Sequence, residues 1–499
     1  MSHHLISMTV FFPLLGTILQ AILPSSRSRW VSFSASLLSS VCAAVLVISM
    51  QGQSAELQAI ESYSWVGSYA ISYDMGVDGL NALMALLIAI LFPVLIASEW
   101  NQKSGVRGMH GLFLILQTSL FGAVFAQDLF LQFFFWGLSA LPFYFLVGIW
   151  GGENREKAAF RSMVASSLGN ALIFAALVLI YYSVDPHSFA LKELSGGKLA
   201  GKSFEFLGFQ LPVATVAFGL MSAGISMRAP IWPFHGWFTE VAQEAPPSVM
   251  VALAAGCVPV AIYIFIRVSY FLFPEILSDV TGFIVGVGII NLIMGGLCAA
   301  YQRSLRKLLA FICLSELGLV LMGIGSLSPV GLVGAVYQQM ILGLSLAGFG
   351  LFSGVISERT GHCLFQDEAG VRTYGGIASK APFFSVFTGI VVASLIGFPG
   401  LAGFVGHALV MIGSYSIHPA AVLVVGGTLL LASYYLFHMY RGIFLGKPAE
   451  HSETFSDLTL RERAYLFPVV SGLLFFGLYP KPVIELIRPT ILTLLSTVK

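Results

Sequence analysis

Residues 225–247 read ISMRAPIWPFHGWFTEVAQEAPP and interrupt a chain that is otherwise strongly apolar. The stretch places one arginine, one histidine, two glutamates and four prolines at the end of a long apolar segment. A proline frees the carbonyl four residues before it and disfavours helix at the residue that precedes it. The stretch therefore predicts a helix that is broken at Pro230 and Pro233.

The composition predicts where such a helix lies. The 499 residues are 57% hydrophobic and 10% charged, and the mean hydropathy is +0.88, whereas soluble domains carry roughly 25% charged residues. Apolar runs such as 78–98, 109–127 and 164–182 each approach the ~20 residues that a helix needs to cross a bilayer. Because these runs are apolar all round, they favour helices over the strands of a barrel. The sequence therefore predicts an all-α polytopic membrane protein.

Counting the apolar runs gives about fourteen predicted spans. They lie near 5–23, 30–50, 78–98, 109–127, 128–150, 157–182, 209–240, 245–270, 276–301, 307–324, 330–356, 381–417, 420–445 and 464–478. The spans 209–240 and 381–417 are too long for one straight crossing, and both contain proline and glycine near the middle. We predict that both are broken helices, the second at Pro399 and Gly400.

The distribution of basic residues predicts the topology. Loops after odd-numbered spans hold 17 of the 25 Lys and Arg residues, and the opposite loops hold seven. Because cytoplasmic loops are enriched in Lys and Arg, we expect the odd loops in the cytoplasm and both termini outside. The basic residues of the odd loops are Arg27, Arg29, Lys103, Arg107, Arg155, Lys157, Arg161, Arg303, Arg306, Lys307, Arg359, Arg372, Lys380, Arg441, Lys447, Arg461 and Arg463.

The two broken spans are regularly spaced, which predicts an internal repeat. Each follows three straight spans and precedes one more, so spans four to eight and nine to thirteen form two five-helix units. Since five is odd, successive units insert with opposite orientation, as in the inverted repeats of transporters. We predict four segments: 1–108 with helices 1–3, the repeats 109–270 and 276–445, and 446–499 with helix 14 and a tail.

Several classes of chemistry are not supported by the sequence. The five cysteines, at 42, 257, 298, 313 and 363, lack the close spacing of a zinc or iron–sulfur site. There is no glycine-rich phosphate loop or dinucleotide fingerprint in a strand–helix context. The net charge of +1 indicates no polyanionic partner such as nucleic acid. The N-terminus has no basic region or cleavage site of a signal peptide and is expected to be the first span.

Three ionisable residues lie close to the breaks or within a predicted span. Arg228 precedes the first break, and an unpaired charge there is costly, so a carboxylate or water is expected beside it. Glu316 is a candidate partner for Arg228 or for Lys307. His407 follows the second break, and histidine as a residue type can pass a proton through either ring nitrogen. Each has an alternative interpretation: a snorkelling arginine, a protonated structural glutamate and a core histidine.

His235, Glu240 and Glu244 follow the first break, where solvation at the interface is the alternative to a role in proton transfer. A proton path needs groups that gain and lose protons. Arginine does not, because its pKa lies above ~12. Arg228, His235, Glu240, Glu316 and His407 are therefore the candidate residues of a path, with Arg228 shaping the field and not relaying the proton.

Six segments resemble the antiporter-like membrane subunits of respiratory complex I, most closely those of the chain M type. The resemblance extends over nearly the whole chain from about residue 65, at consistent spacing. Its anchors are YDMGVDGLNALM (73–84), the run from DLFLQFFFW to GIWGG (128–152), PIWPFHGWFTEVAQEAPPS (230–248), AAYQRSLRKLLAF (299–311), GFPGLAGFVG (397–406) and the run from LRERAYLFPVV to GLYPKPVIE (460–485).

The resemblance implies a fold, partners and a location. It implies fourteen helices, two inverted five-helix repeats and a central hydrophilic axis for proton translocation. It places FMN, iron–sulfur clusters and quinone in partner subunits and none of them in this chain. The partners it implies are the other antiporter-like subunits and the peripheral redox arm, and the location is the cytoplasmic membrane of the cell.

Carrying the family's axis residues over shows that most are replaced. The glutamate of the fifth helix falls on Gly137, and the lysines of the seventh and eighth fall on Arg228 and Pro259. A histidine of the Ser-His-x-Gly segment is Glu316. The histidine of the following helix falls on Leu342, and the glutamate of the twelfth falls on His407.

The sequence thus predicts a membrane subunit of a proton-translocating NADH:quinone oxidoreductase, which contributes to proton translocation or scaffolds it, with electron transfer in other subunits. The alternatives are a subunit of a multi-subunit cation/proton antiporter, a subunit of a membrane-bound hydrogenase-type complex, and a non-conducting M-like spacer.

Overall fold

The computed structural model describes residues 4–50, 55–102, 104–366, 373–447 and 455–498. Lys103 and Arg372, two of the basic residues used to predict the topology, lie outside these ranges. In the described part of the chain the fold is helical, with two small antiparallel hairpins. The all-α polytopic class predicted from the sequence is confirmed.

The elements of the first third surround one hairpin. The two strands of this hairpin pair antiparallel, with Tyr63 opposite Tyr73. The elements are α1 (Leu5–Ile22), α2 (Ser25–Ser49), β1 (Gln58–Val66), β2 (Ile71–Val77), α3 (Gly79–Ser98), α4 (Val106–Phe125), α5 (Leu129–Leu138), α6 (Ala140–Trp150) and α7 (Arg155–Ser183).

The middle third contains the first break and a π-helical turn. Its elements are α8 (Leu191–Leu194), β3 (Ser203–Phe206), β4 (Phe209–Pro212), α9 (Val213–Arg228), α10 (Gly236–Glu244), α11 (Pro247–Val251), the π turn (Ala252–Cys257) and α12 (Val258–Leu272).

The last third contains the second break. Its elements are α13 (Pro274–Ala300), α14 (Leu305–Gly325), α15 (Pro329–Thr360), α16 (Pro382–Ile396), α17 (Ala402–Tyr415), α18 (Pro419–Phe444), α19 (Leu460–Leu478) and α20 (Lys481–Ser496).

Each predicted span coincides with one helix or with two or three consecutive helical segments, but fewer than the predicted fourteen are long enough by themselves to cross a membrane. Within the described residues, 11 helices or continuous helical stretches are long and apolar enough to cross a membrane, and α19 with α20 gives up to 12. The two long predicted spans are each divided into two shorter helices, α9 with α10 and α16 with α17. The inverted repeats and the four segment boundaries remain predictions.

The C-terminal tail, predicted only as a tail, contains an amphipathic helix. α20 is bent by 74° from α19 and buries Val483, Ile487, Ile491 and Leu494. These residues recur at intervals of three or four, which places them on one helical face. A search for apolar spans misses α20 because polar residues on its other face lower the mean hydropathy of the segment.

Hydrogen bonds between loops group the ends of the helices into two faces. On the first face, Arg107 donates to the carbonyl of Leu23 at 2.7 Å, and Arg306 donates to the carbonyl of Gln243 at 3.1 Å. These bonds join loops that follow odd-numbered predicted spans.

The second face joins the loops that follow even-numbered spans. The backbone amide of Gln127 donates to the carbonyl of Asp74 at 2.8 Å, and the backbone amide of Leu129 donates to the carbonyl of Phe189 at 2.9 Å. The alternation expected from the span count is therefore present in the tertiary structure. Which face is cytoplasmic remains a prediction.

The core lies around α3, α4, α12, α14 and α15. The most apolar window of the segment 247–272 is 100% buried, whereas that of α18 is 22% buried. The centre also holds an ion pair that the sequence analysis missed, because Arg267 of α12 contacts Asp78, the N-cap of α3. Arg267, one of the seven basic residues assigned to the opposite loops, is 1% exposed and lies inside the bundle.

Candidate functional site

The second break brings three buried polar side chains together. Nε2 of His407 in α17 lies 3.1 Å from Oε2 and 3.3 Å from Oε1 of Glu316 in α14. Nε2 of Gln338 in α15 donates to Glu316 Oε2 at 2.8 Å. Glu316 is 8% exposed and His407 3%. A carboxylate and an imidazole at this distance can share one proton or exchange it, since either group can carry it.

Glycines at the break allow His407 to reach this position. Gly397 has φ +79°, and a Cβ added there would lie 2.6 Å from Nδ1 of His407. A Cβ at Gly406 would lie 1.9 Å from Oε1 of Gln338. Only glycine leaves room for the histidine ring and for the close approach of α17 to α15.

A small cavity adjoins Glu316 on the side that faces α18. Glu316, Ser315, Thr428 and Tyr435 line a volume of about 10 Å³ between α14 and α18. This volume is close to the ~10–15 Å³ that one water molecule requires. The Glu316–His407 pair is therefore next to a space in which a single water molecule can bridge polar groups.

The first break has a different chemistry. Arg228, 7% exposed, donates to the carbonyl of Trp136 at 2.8 Å, to Oδ1 of Asn170 at 3.0 Å and to Oγ of Ser139 at 2.7 Å. Its guanidinium lies 4.0 Å from the centre of the Trp136 ring. A fixed cation is thus stabilised by neutral acceptors and a cation–π contact.

The pairing of Arg228 with Glu316 considered above is wrong, and so is that of Lys307 with Glu316. In the described part of the chain, the ion pair of Glu316 is with His407. The guanidinium of Arg228 points towards α5 and α7, whereas the carboxylate of Glu316 points towards α15 and α17. The expected carboxylate beside Arg228 is replaced by carbonyl, amide and hydroxyl oxygens.

Three of the substituted family positions, Gly137, Pro259 and Leu342, carry side chains that cannot titrate. Gly137 is next to the Arg228 site, and a Cβ there would meet only Nδ2 of Asn170, at 3.6 Å. Pro259 is the second residue of α12, which begins directly after the π turn. Leu342 of α15 is 1% exposed and belongs to the hydrophobic core.

The polar backbone groups freed by the first break are paired with protein groups. The amide of Trp232 donates to Oδ1 of Asn291 in α13 at 3.1 Å, and Nε1 of Trp237 donates to the carbonyl of Met227 at 2.9 Å. Pro230 and Pro233 lie in the connection between α9 and α10. Asn291 therefore links the break to the second half of the molecule.

The residues that follow the first break lie near the first face of the bundle. Glu240 forms an ion pair with Arg161, and both side chains are exposed. Glu244 accepts the amide of Asn154 at 3.0 Å, at the start of α7. His235 is the N-cap of α10. The structure does not bring these residues into contact with the Glu316–His407 pair.

Sequence reasoning missed the neutral partners of both sites. Asn170, Asn291 and Gln338 are amides inside long apolar helices, and that position is itself a signal. A search limited to charged residues and histidine passes over them. Their importance lies in the hydrogen bonds that they provide to buried charges and to freed backbone groups.

Comparisons with known proteins agree with this geometry. Residues 126–432 match the family described as NADH:quinone oxidoreductase/Mrp antiporter, transmembrane. The chain is 28% identical to NADH-quinone oxidoreductase subunit M of Rhodobacter capsulatus, with 98% of this chain and 96% of the relative covered.

Two solved structures share the fold. One is a chain of respiratory complex I from Thermus thermophilus with bound NADH, at a TM-score of 0.88 and 23% identity, with 99% of this chain and 100% of that chain covered. The other is a chain of the Mrp complex from a Dietzia species, at 0.86 and 20%, with 99% and 97% covered. At these identities the likeness shows the fold alone.

Proposed function

Because this chain belongs to the family of transmembrane subunits of NADH:quinone oxidoreductases and Mrp antiporters, we propose that it is an antiporter-like, M-type subunit in the membrane arm of a proton-translocating NADH:quinone oxidoreductase. The relative from Rhodobacter capsulatus, aligned over nearly the full length of both chains, carries that subunit's name. Its partners are then the other antiporter-like subunits and the peripheral redox arm. FMN, iron–sulfur clusters and quinone belong to those partners.

The observation that carries this proposal is the Glu316–His407 pair at the second break. It joins a carboxyl group and an imidazole at 3.1 Å inside the membrane-spanning part of the chain, and both kinds of side chain can carry a proton. Gln338 donates to the same carboxylate oxygen and fixes its orientation. Proton transfer in the second half of the chain passes through this pair.

The first half of the chain acts as a scaffold. Arg228 keeps its proton and therefore does not relay protons. Its fixed positive charge changes the electric field at neighbouring groups. Gly137 supplies no carboxylate that could pair with Arg228 and separate from it. Pro259 in the first half and Leu342 in the second are apolar, so the family's axis is interrupted at both positions.

The antiporter alternative is supported by the nearly equal likeness to the Mrp complex. An antiporter subunit would use the same Glu316–His407 pair to exchange a proton for another cation. The two functions differ in the partners: purification of the native complex with a peripheral redox arm favours the oxidoreductase, and its absence favours the antiporter.

The test is the number of protons translocated per electron pair by the purified complex in proteoliposomes. We expect Glu316→Gln and His407→Leu to lower the ratio, because each removes one titratable member of the pair. Arg228→Met should leave the ratio unchanged in complexes that still assemble. Subunit content and NADH oxidation with detergent-solubilised enzyme are measured on the same preparations.

A wild-type ratio in both Glu316→Gln and His407→Leu would show that the whole chain is a scaffold. A lower ratio in Arg228→Met alone would place the path through the first break and contradict the proposal.

A further inference from the structure

An apolar groove runs along the surface between α1 and α2, outside the sites described above. Its volume is about 530 Å³, within the ~300–1,000 Å³ of clefts that hold small molecules. Large apolar side chains of the groove reach the surface: Leu15 is 50% exposed, Trp30 64% and Leu38 49%. In a chain that crosses a membrane, an apolar surface of this shape meets lipid or another membrane helix.

Small residues at the crossing of the two helices give the groove its shape. A Cβ at Gly16 of α1 would clash with Cβ of Ala35 in α2, so the two backbones approach closely there. On the side of α2 that faces the bundle, the hydroxyls of Ser28 and Ser32 donate to Oε1 of Gln20 in α1, at 3.2 and 2.6 Å. These contacts fix the two helices relative to each other, and the groove is therefore preformed.

The length of the groove matches one leaflet of a membrane. The groove begins at Arg27, in the first turn of α2 near the first face of the bundle, and reaches Leu38. These residues are about 16 Å apart along the helix at 1.5 Å per residue. Half of the ~30 Å hydrocarbon core of a bilayer is about 15 Å. The groove can therefore hold an acyl chain of the leaflet at the first face.

Tryptophan side chains mark the depth of the lipid headgroups at the same end. The rings of Trp30 and Trp100 meet edge to face, with their centroids 4.8 Å apart. Nε1 of Trp150 donates to the carbonyl of Ser104 at 3.3 Å. Indole rings concentrate at the boundary between hydrocarbon and water. Because Arg27 lies about one helical turn closer to the first face than Trp30, it is at the depth of lipid phosphates.

The guanidinium of Arg27 is free to bind an external anion. Its side chain is exposed, and none of the ion pairs among the described residues includes it. The neighbouring Arg29 and Arg107 instead donate to the carbonyls of Gln102 and Leu23, at 3.1 and 2.7 Å. The positive charge at the end of the groove is therefore that of Arg27.

The start of α2 provides a second attraction for an anion. The helix begins at Ser25, after Pro24, and no side chain in the described part of the chain caps it. Amide groups in the first turn of a helix carry partial positive charge and bind phosphate. Since Arg27 belongs to that turn, a phosphate at this end of the groove would be close to both groups.

We propose that the groove between α1 and α2 binds one phospholipid whose headgroup has a net negative charge. The phosphate contacts Arg27 and the first turn of α2, and one acyl chain lies along Leu15, Trp30 and Leu38. A zwitterionic phospholipid brings a positive group next to Arg27 and binds less tightly. The site does not depend on which complex the chain belongs to.

The test is photo-crosslinking of the purified native complex in phosphatidylcholine nanodiscs, without turnover. The probes are phosphatidylglycerol, which has a net negative charge, and phosphatidylcholine, which is zwitterionic, each with a diazirine on the same acyl chain. Equal small amounts of either probe are added, and the cross-linked peptides are quantified by mass spectrometry. The internal control is the surface of α18 around Leu423 and Leu430, which are 79% and 74% exposed. Arg441, the arginine of that helix, is about three turns beyond Leu430.

We expect phosphatidylglycerol to label the peptides of α1 and α2 about fivefold more than phosphatidylcholine, because one basic side chain at a membrane surface provides about that preference. Labelling around Leu423 and Leu430 should be equal for the two probes. Equal labelling of α1 and α2 would indicate ordinary lipid contact and overturn the proposal. Labelling of α18 without any labelling of α1 and α2 would indicate that a neighbouring subunit fills the groove, which would also overturn it.

Three variants test the assignment of the headgroup and the acyl chain, with subunit content measured for each. Arg27→Gln should abolish the preference for phosphatidylglycerol and leave labelling by phosphatidylcholine unchanged. Arg155→Gln is the matched control, because it removes an exposed arginine from the first turn of α7, and it should retain the preference. Ser34→Phe places a ring in the groove and should lower labelling by phosphatidylglycerol although Arg27 is present.

Retention of the full preference in Arg27→Gln would contradict the proposed headgroup site, and unchanged labelling in Ser34→Phe would contradict the proposed position of the acyl chain. Since cross-linking requires no proton pumping, its result is independent of the result at Glu316.

Discussion

At the scale of single residues, the two breaks differ in what their buried charges can do. Arg228 is surrounded by oxygens that do not titrate near neutral pH, and its own proton is permanent. Glu316 and His407, by contrast, are a carboxyl group and an imidazole, side chains that can carry or release a proton. The same kind of helix break therefore holds a fixed charge in one half and, in our proposal, an exchangeable proton in the other.

The glycine next to His407 gives a prediction at this scale. Gly397→Ala adds a methyl group at 2.6 Å from Nδ1 of the histidine and places alanine at φ +79°. The left-handed conformation alone costs about 1–2 kcal/mol, and the contact also displaces the ring from Glu316. We expect a lower melting temperature of the complex and a lower ratio of protons to electron pairs.

Gly400→Ala is the matched control for this change. Gly400 has φ +90°, but an added Cβ meets nothing within 4 Å. It should lower the melting temperature through backbone strain and leave the proton ratio unchanged. Equal ratios in the two variants would show that the position of His407 does not matter for translocation.

At the scale of elements, interrupted helices are tolerated because their neighbours satisfy the freed backbone groups. Asn291 of α13 accepts the amide of Trp232 at the first break. Pro259 follows a π-helical turn, and Gly343 of α15 packs directly on the carbonyl of Ala255, four residues before that proline. Such pairing or covering by protein is what a low-dielectric environment requires.

The role of Asn291 can be tested by a pair of substitutions. Asn291→Leu leaves the amide of Trp232 without its acceptor, which we expect to cost about 1–3 kcal/mol of stability. Asn291→Asp keeps an oxygen at that position and should retain the bond. Thermal unfolding of the assembled complex, followed by scanning fluorimetry, should show a larger loss for leucine; a larger loss for aspartate would contradict this role.

At the scale of the whole molecule, the bundle has two chemically different faces. The loops after odd-numbered spans meet on one face, and the groove between α1 and α2 ends there at Arg27. The β1–β2 hairpin and the loops around Gln127 and Phe189 meet on the other. We expect the first face in the cytoplasm because it carries most of the basic residues.

Cysteine labelling in intact cells tests this orientation. Glu153→Cys introduces a thiol at an exposed site on the first face, and Lys198→Cys does so on the second. A membrane-impermeant maleimide should label only the cysteine at 198 from outside, whereas both should react after permeabilisation. Labelling of the cysteine at 153 in intact cells would reverse the topology. The wild-type chain measures the background from the five native cysteines.

Much of the architecture could be predicted because it depends on local properties of the chain. Apolar length predicted the spans, and proline and glycine predicted both broken helices. The motifs between 73 and 485 predicted the family, which the match over 126–432 confirms. The helix α20 and the two hairpins were missed, since a short amphipathic or polar segment has no strong signal in an apolar search.

The sequence by itself determined that this chain crosses a membrane repeatedly, where its helices break and to which family it belongs. Only the tertiary structure decided that Glu316 meets His407 and Gln338, that Arg228 is held by Trp136, Ser139 and Asn170, and that α1 and α2 form a groove that ends at Arg27. The reason is physical: a span is defined by about 20 consecutive residues and a helix break by about one helical turn, whereas a buried charge is paired by whichever side chain the packing of other helices brings within hydrogen-bonding distance.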